Sequence, residues 1–144
     1  MEVAQNTKNP KIKISVKDSK YATGRRKTSI AKIWLKKGNG QISINGKDYK
    51  EYFKRANHKM QLLRPFEILN ESTSYDVRCS VRGGGLSGQV GAMVHGISKA
   101  LVMFDSNSKE TLKKEKLTTR DSRAVERKKY GRRKARRSFQ FSKR

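Results

Sequence analysis

Residues 74–104 read SYDVRCSVRGGGLSGQVGAMVHGISKALVMF. In the first part, Tyr75, Val77, Cys79 and Val81 alternate with Asp76, Arg78, Ser80 and Arg82. Side chains of an extended chain point to opposite faces in turn, so Ser74 to Arg82 is expected to be a strand with one buried and one wet face. Gly83-Gly84-Gly85 breaks it. Leu86, Val90, Val94, Ile97, Leu101 and Phe104 then recur at helical spacing, so Leu86 to Phe104 is expected to be a long helix laid on a sheet. Gly88, Gly91, Ala92 and Gly96 thin another part of that helix, where a backbone of protein or RNA can come close.

Upstream, Thr28 to Lys36 is expected to be a strand with Ala31, Ile33 and Leu35 inward, while Ser29 and Lys32 mark a wetter face. Gly38-Asn39-Gly40 is expected to turn it back into a second strand, Gln41 to Asn45, with Ile42 and Ile44 inward, closing a β-hairpin. Asn45-Gly46 is a further turn signal. Asp48 is placed to cap a short helix through Tyr52 and Phe53, and another short helix is expected within Lys59 to Asn70, with Pro65 near its start or a break. Downstream, Asn107 and Glu110 have the spacing of a capping box for a short helix through Leu112. The expected architecture is α/β (α+β), a small sheet packed by helices. A flexible extension over 1–20 precedes the 21–117 domain, and an extended basic tail over 118–144 follows it. Ile12, Ile14 and Val16 are the extension's sole apolar pattern.

The chain has 144 residues, with 36 Lys plus Arg against 12 Asp plus Glu, a formal charge of +24. Apolar residues make up 33 %, below the ~45–50 % of an ordinary globular domain. The core must therefore be small, and the charge needs a polyanion to neutralise it. Nucleic acid is the first candidate and an anionic membrane surface the second, although the sequence has no apolar run of ~18 residues to span a bilayer. Cys79 is the single cysteine, so no internal disulfide or cysteine-based zinc site is expected, and His58 and His95 make a poor metal set. Met1 to Lys20 is polar and Lys-rich, unlike a secretory signal or an Arg/Ser-rich transit peptide.

The last 25 residues, 120–144, hold twelve Lys or Arg and two acids, Asp121 and Glu126, for which ion pairs with neighbouring arginines are the natural reading. Arg132, Arg133, Lys134, Arg136 and Arg137 cluster there, with Tyr130, Phe139 and Phe141 interleaved. Arginine forks match phosphates, and aromatic rings stack on unpaired bases. Thr23-Gly24-Arg25-Arg26-Lys27-Thr28 is a second basic cluster. Gly83, Gly85 and Gly88 have the Gly-x-Gly-x-x-Gly spacing of dinucleotide loops, but no acid follows at the right distance and the Lys-Ser/Thr ending of a P-loop is missing. A tight turn touching an RNA phosphate is the better reading. Nucleophile–base pairs are scarce, so no catalytic constellation is expected.

These same residues resemble a known family. Gly83-Gly84-Gly85-Leu86-Ser87-Gly88-Gln89, followed by Gly91, Ala92, His95, Gly96, Ile97, Lys99, Ala100 and Leu101, is similar to the signature of the small-subunit ribosomal protein nine family. Tyr21-Ala22-Thr23-Gly24-Arg25-Arg26-Lys27 resembles its opening. Asp121-Ser122-Arg123, Glu126-Arg127-Lys128-Lys129 and Gln140-Phe141-Ser142-Lys143-Arg144 resemble its tail, in the bacterial and organellar form. The resemblance implies a fold shared with the second domain of ribosomal protein five. It also implies binding to the 3′ domain of small-subunit rRNA in the subunit head, beside other head proteins, and a tail that threads toward the peptidyl-site tRNA.

The expected rRNA contacts are Arg25, Arg26, Lys27, Arg82, Gly83, Gly84, Gly85, Gln89, His95, Lys99, Arg120, Arg123, Arg127, Lys128, Lys129, Arg132, Arg133, Lys134, Arg136 and Arg137. Ser142, Lys143 and Arg144 are the expected tRNA contacts, with Lys143 and Arg144 on the anticodon-loop backbone. No cofactor, metal, membrane or small-molecule substrate is implied, and bacterial cytoplasm and the matrix of a mitochondrion or plastid both stay open. Two other classes are weighed. One is a non-ribosomal basic nucleic-acid-binding protein, disfavoured because the tail is rich in arginine and aromatics. The other is a nucleotide-dependent enzyme built on the glycine turn.

Overall fold

The computed structural model describes residues 18–71 and 74–142. Ile12, Ile14 and Val16 of the expected extension, and Lys143 and Arg144 of the tail end, lie outside these residues. The elements follow the order β1 (Lys20–Arg26), β2 (Ser29–Lys37), β3 (Ile42–Ile44), β4 (Lys47–Asp48), α1 (Tyr49–Tyr52), α2 (Ala56–Ile68), β5 (Tyr75–Arg82), α3 (Leu86–Phe104) and α4 (Ser108–Lys114). The result is an α+β fold, a mixed five-stranded sheet ordered β1-β2-β5-β3-β4 and packed by helices.

The expected hairpin between 28–36 and 41–45 does not form. β2 pairs antiparallel with β1 on one side and β5 on the other, so both its edges are taken. β3 lies beyond β5 and runs parallel to it. The Gly38–Gln41 link is held by β5 instead of folding back on β2. Gly38 N–H donates to Ser74 O at 2.9 Å, and the Asp76 carboxylate accepts from Asn39 N and Gln41 N, each at 2.9 Å. Asn45-Gly46 does turn a hairpin, the short one between β3 and β4, with positive φ at both residues.

The alternation in β5 holds: Tyr75, Val77, Cys79 and Val81 are buried and Arg78, Ser80 and Arg82 exposed. In β2, Ala31, Ile33 and Leu35 are buried, and Ser29 shares their face, fully buried, instead of marking the wet one. Its hydroxyl donates to Gly83 O at 3.0 Å, which satisfies the buried polar group. Lys32 is on the other face, as expected.

α3 lies against β1 and β2. The stripe it buries is Val90, Met93, Ile97, Ala100 and Leu101 together with Gly88, Ala92 and Gly96. Leu86, expected in the stripe, is 47 % exposed, and Val94 and Phe104 are half-buried. The glycine-rich part of the helix therefore faces the protein's own strand. A methyl group at Gly24 would stand 1.9 Å from Ala92 O and 2.5 Å from Gly96 N, so only a glycine on β1 lets the two backbones meet. Burying Phe53, Leu62, Ile33, Leu35 and Ile44 beneath this layer contributes about 1.5–3 kcal/mol for each large side chain.

Asp48 caps α1 as expected, accepting from Lys50 N at 2.9 Å. Two other local expectations change. Pro65 sits inside α2 and is buried. The N–H it lacks would have reached the carbonyl of Gln61, an exposed position where water can serve that group. At α4, Asn107 makes no side-chain cap. Asp105 takes that part, its carboxylate accepting from Asn107 N at 3.0 Å and its carbonyl from Ser108 Oγ at 2.7 Å.

Candidate nucleic-acid interface

Lys27 follows Arg26 at the end of β1 in a left-handed conformation (φ 52°), in the tight connection to β2. That connection packs on the triglycine loop. Gly83 and Gly84 have φ of 77° and 61°, and added Cβ atoms would stand 2.5 Å from Thr28 O and 2.1 Å from Ser29 Oγ. Two of the three glycines thus have a reason inside the fold, whereas Gly85 faces open space. Lys27 and Gly85 border a cleft of about 440 Å³ at the start of α3, shared with Arg55, His58 and Ser87. Gly85 supplies no side-chain cap there, and Gln89 N is the first to bond back, to Gly85 O at 2.9 Å. The leading N–H groups of α3 therefore open toward cationic side chains.

The expected contacts on α3 each have an internal partner. Gln89 accepts from Tyr52 O–H at 2.7 Å and donates to Gly83 O at 3.1 Å, tying α1 to the glycine loop. Lys99 Nζ donates to Thr23 O at 3.3 Å. His95 Nδ1 accepts from Arg25 N at 3.3 Å. Burial lowers the His95 pKa, and the nearby Lys99 charge acts in the same direction. The imidazole is thus held toward its neutral form among cations.

The tail leaves the domain beside His95. Arg26 Nη2 pairs with Asp121 Oδ2 at 3.1 Å, and Arg123 closes on the same carboxylate at 2.8 Å. The hydrogen bonds from Arg123, with the Arg26 charge behind them, hold the Asp121 carboxyl well below the usual carboxylate range. A second tie joins Arg64 of α2 to Glu115 at 2.6 Å. Between the two ties is a cleft of about 250 Å³ bordered by Arg25, Arg26, Arg64, His95 and Lys116, with Asp121 as its one carboxylate.

Beyond Asp121 the chain has neither helix nor strand and is exposed through Ser142, Ala135 alone being half-buried. Glu126 pairs with Arg136 at 2.9 Å and Lys129 at 3.6 Å, and Arg133 N donates to Arg137 O at 2.8 Å. These bonds bend residues 126–137 into a turn at Gly131. The ion pairs expected for Asp121 and Glu126 are present. Tyr130, Phe139 and Phe141 are exposed.

The structure thus brings Arg25, Arg26, His95 and the tail root to one place. Lys27 and Gly85 form a neighbouring cleft, and Arg82 stands on the opposite face of the sheet. Arg120, Arg127, Lys128, Arg132, Arg133, Lys134 and Arg137 are exposed along the tail. Arg55, Arg64 and Lys116 were missed by the sequence reading. None carries a local signal: Arg64 stands between Leu63 and Pro65, Arg55 follows Lys54, and Lys116 follows Lys113 and Lys114. The packing of α2 against the tail root brings Arg64 and Lys116 to one cleft, and Arg55 borders the other. Cys79 is buried and its thiol is pushed up to about 12 by desolvation, so it is no nucleophile at neutral pH. Among the described residues no three His, Cys, Asp or Glu side chains group as metal ligands, and no helix is long and apolar enough to cross a membrane.

A compact α+β body with two cation-lined clefts and an arginine-rich arm fastened at its root defines a polyanion-binding protein of the ribonucleoprotein class. The family described as Ribosomal protein S9/S16 matches residues 24–144, and the chain belongs to that family. It is accordingly a structural, rRNA-binding constituent of the small ribosomal subunit that serves translation, in a family of ribosomal structural proteins and not of enzymes.

Proposed function

We propose that the α+β body anchors on rRNA of the subunit head, in its 3′ domain and beside other head proteins, while the tail runs on to contact tRNA in the peptidyl site. The observation that carries this reading is the Arg26–Asp121–Arg123 clamp, which fixes where an otherwise exposed cationic arm departs from the domain. A solvated arginine-rich segment can enter RNA grooves too narrow for a folded surface, and its entropy is lost only on binding. In this reading Arg25, Arg26 and Lys27, the Gly83–Gly85 loop with Arg82, Gln89, His95 and Lys99, and Arg120 through Arg137 face rRNA. Ser142, Lys143 and Arg144 face tRNA.

Deleting Ser142 to Arg144 tests the division of labour. Subunits should assemble normally and bind peptidyl-site tRNA more weakly. Failed assembly, with unchanged tRNA affinity in whatever subunits form, would show that the division is wrong.

A further inference from the structure

We propose that the uncovered face of the sheet is a separate binding surface for single-stranded RNA, where unpaired bases stack on Tyr21 and Trp34 while Lys32, Arg78 and Arg82 take the phosphates. The inference rests on the chain's reading as an RNA-binding protein and adds a face that neither the tail nor the α3 clefts include. Strand register builds it. Tyr21 stands opposite Trp34 and Trp34 opposite Arg78, giving one row across three strands that ends at the buried Ser43 of β3. The next rows are Thr23–Lys32–Ser80 and Ile30–Arg82, while Arg25, the register partner of Ile30, borders the cleft beside His95. All these positions alternate with the buried set of Ala22, Ala31, Ile33, Val77, Cys79 and Val81, onto which the helices pack.

The chemistry of the face is specific. The Tyr21 and Trp34 rings lie 5.3 Å apart, tilted by 46°, and the Arg78 guanidinium sits 5.7 Å from the Trp34 ring. Tyr21 is 44 % and Ile30 37 % exposed, so large apolar groups meet solvent here. Among the described residues none of Lys32, Arg78 or Arg82 has an acidic partner. The acids of this face are engaged elsewhere: Asp76 accepts from the Asn39 and Gln41 amides, Asp18 pairs with Lys36, and Asp48 caps α1. The Tyr21–Trp34 pair stabilises the sheet as any cross-strand aromatic pair does, and what a solvated face does not require is the set of cations around it without acidic partners. Rings interleaved with cations are what base stacking plus phosphate contact requires. A duplex keeps its bases stacked inside, so the occupant is an unpaired segment.

Trp34 is the chain's one tryptophan, so its emission reports on this face alone. The full chain is titrated with fluorescein-labelled RNAs of about 12 nucleotides, matching the span of such sites, one single-stranded and one duplex. Both should bind by anisotropy, since the tail attracts any phosphate chain, but only the single strand should quench Trp34. The double variant Arg78→Gln, Lys32→Gln, with its fold checked by circular dichroism, should weaken single-strand binding about tenfold and leave duplex binding nearly unchanged. Single-strand binding with Trp34 emission unmoved would overturn the proposal while leaving RNA binding intact. Failure of both RNAs to bind would overturn both. In assembled subunits, ultraviolet crosslinks from the Tyr21 or Trp34 peptides to rRNA support the proposal, and crosslinks from them only to protein overturn it.

Discussion

Arg26 and Asp121 are joined by a 3.1 Å ion pair across 95 positions of sequence, tying the last residue of the first strand to the root of the tail. Arg123 grips the same carboxylate from the tail side, so one acid sets the direction in which the chain's most cationic segment leaves the body. Asp121→Asn should therefore leave the melting temperature nearly unchanged and free the arm. The expected readout is faster tryptic cleavage at Arg120 and Arg123 and weaker incorporation into subunits. Because the Asp121 pKa is depressed in the folded chain, the clamp is complete above the ordinary aspartate range, near pH 4, and is lost only as acid passes below it. Cleavage rates compared at matched trypsin activity should stay flat from neutral pH to about 5.

The approach of β1 to α3 leaves no room for a side chain at position 24. Gly24→Ala places a methyl group 1.9 Å from the Ala92 carbonyl oxygen, and backbone at both sides must shift. A loss of roughly 3 kcal/mol or more in urea unfolding is expected, at the upper end of overpacking costs. Gly85→Ala meets nothing within 4 Å and has φ −106°, so its cost should stay within about 1 kcal/mol, that of a poorer helix N-cap.

Cys79 should not react with a thiol reagent at pH 8 in the folded chain and should react at once in denaturant. The unfolded thiol ionises near 9.0, and burial holds the folded one to about 12. The unfolded state gives up its proton first, so stability should fall as pH rises through that window. Urea midpoints at pH 8 and pH 10, compared between the native chain and Cys79→Ala, isolate this contribution.

His95 shows the opposite pH dependence. Its pKa is lowered from 6.5 by burial and by Lys99, so the folded chain binds that proton less readily than the unfolded one. The stabilisation is present above about pH 6.5 and fades as pH falls below it. A proton NMR titration should place the His95 midpoint under 6.5. A midpoint above that value would contradict the packing of His95 between Arg25 and the tail root.

Reversing Arg132, Arg133 and Arg136 to Glu should sharply reduce incorporation of the chain into small subunits. Each lost phosphate contact also lowers the salt slope of rRNA binding by about 0.7–0.9. Incorporation at the native level would remove the tail from the set of rRNA anchors.

Much of the body was legible because burial imposes a period. The alternation from Tyr75 to Arg82 announced β5, and the helical recurrence from Val90 to Leu101 announced α3. β1 was not recognised as a strand because its buried positions are Ala22 and Gly24, small residues that carry little hydropathy and are required by the close approach of Gly96. The cationic tail was plain in composition. The Tyr21–Trp34–Arg78 row was not, since its members are 13 and 44 residues apart and meet only through strand register.

By itself, then, the sequence determined that the stretch around Val77 to Val81 extends, that the stretch from Val90 to Leu101 coils and where the positive charge concentrates, because periodicity and charge are properties of neighbouring residues. Tertiary structure alone decided which strands are partners. Asp76 draws the Gly38–Gln41 link toward β5, and β2 has no free edge, so β3 passes beyond β5 to pair. It also decided that Asp121 closes on Arg26. Such choices depend on long-range hydrogen bonds and on space between layers, and no local pattern encodes either one.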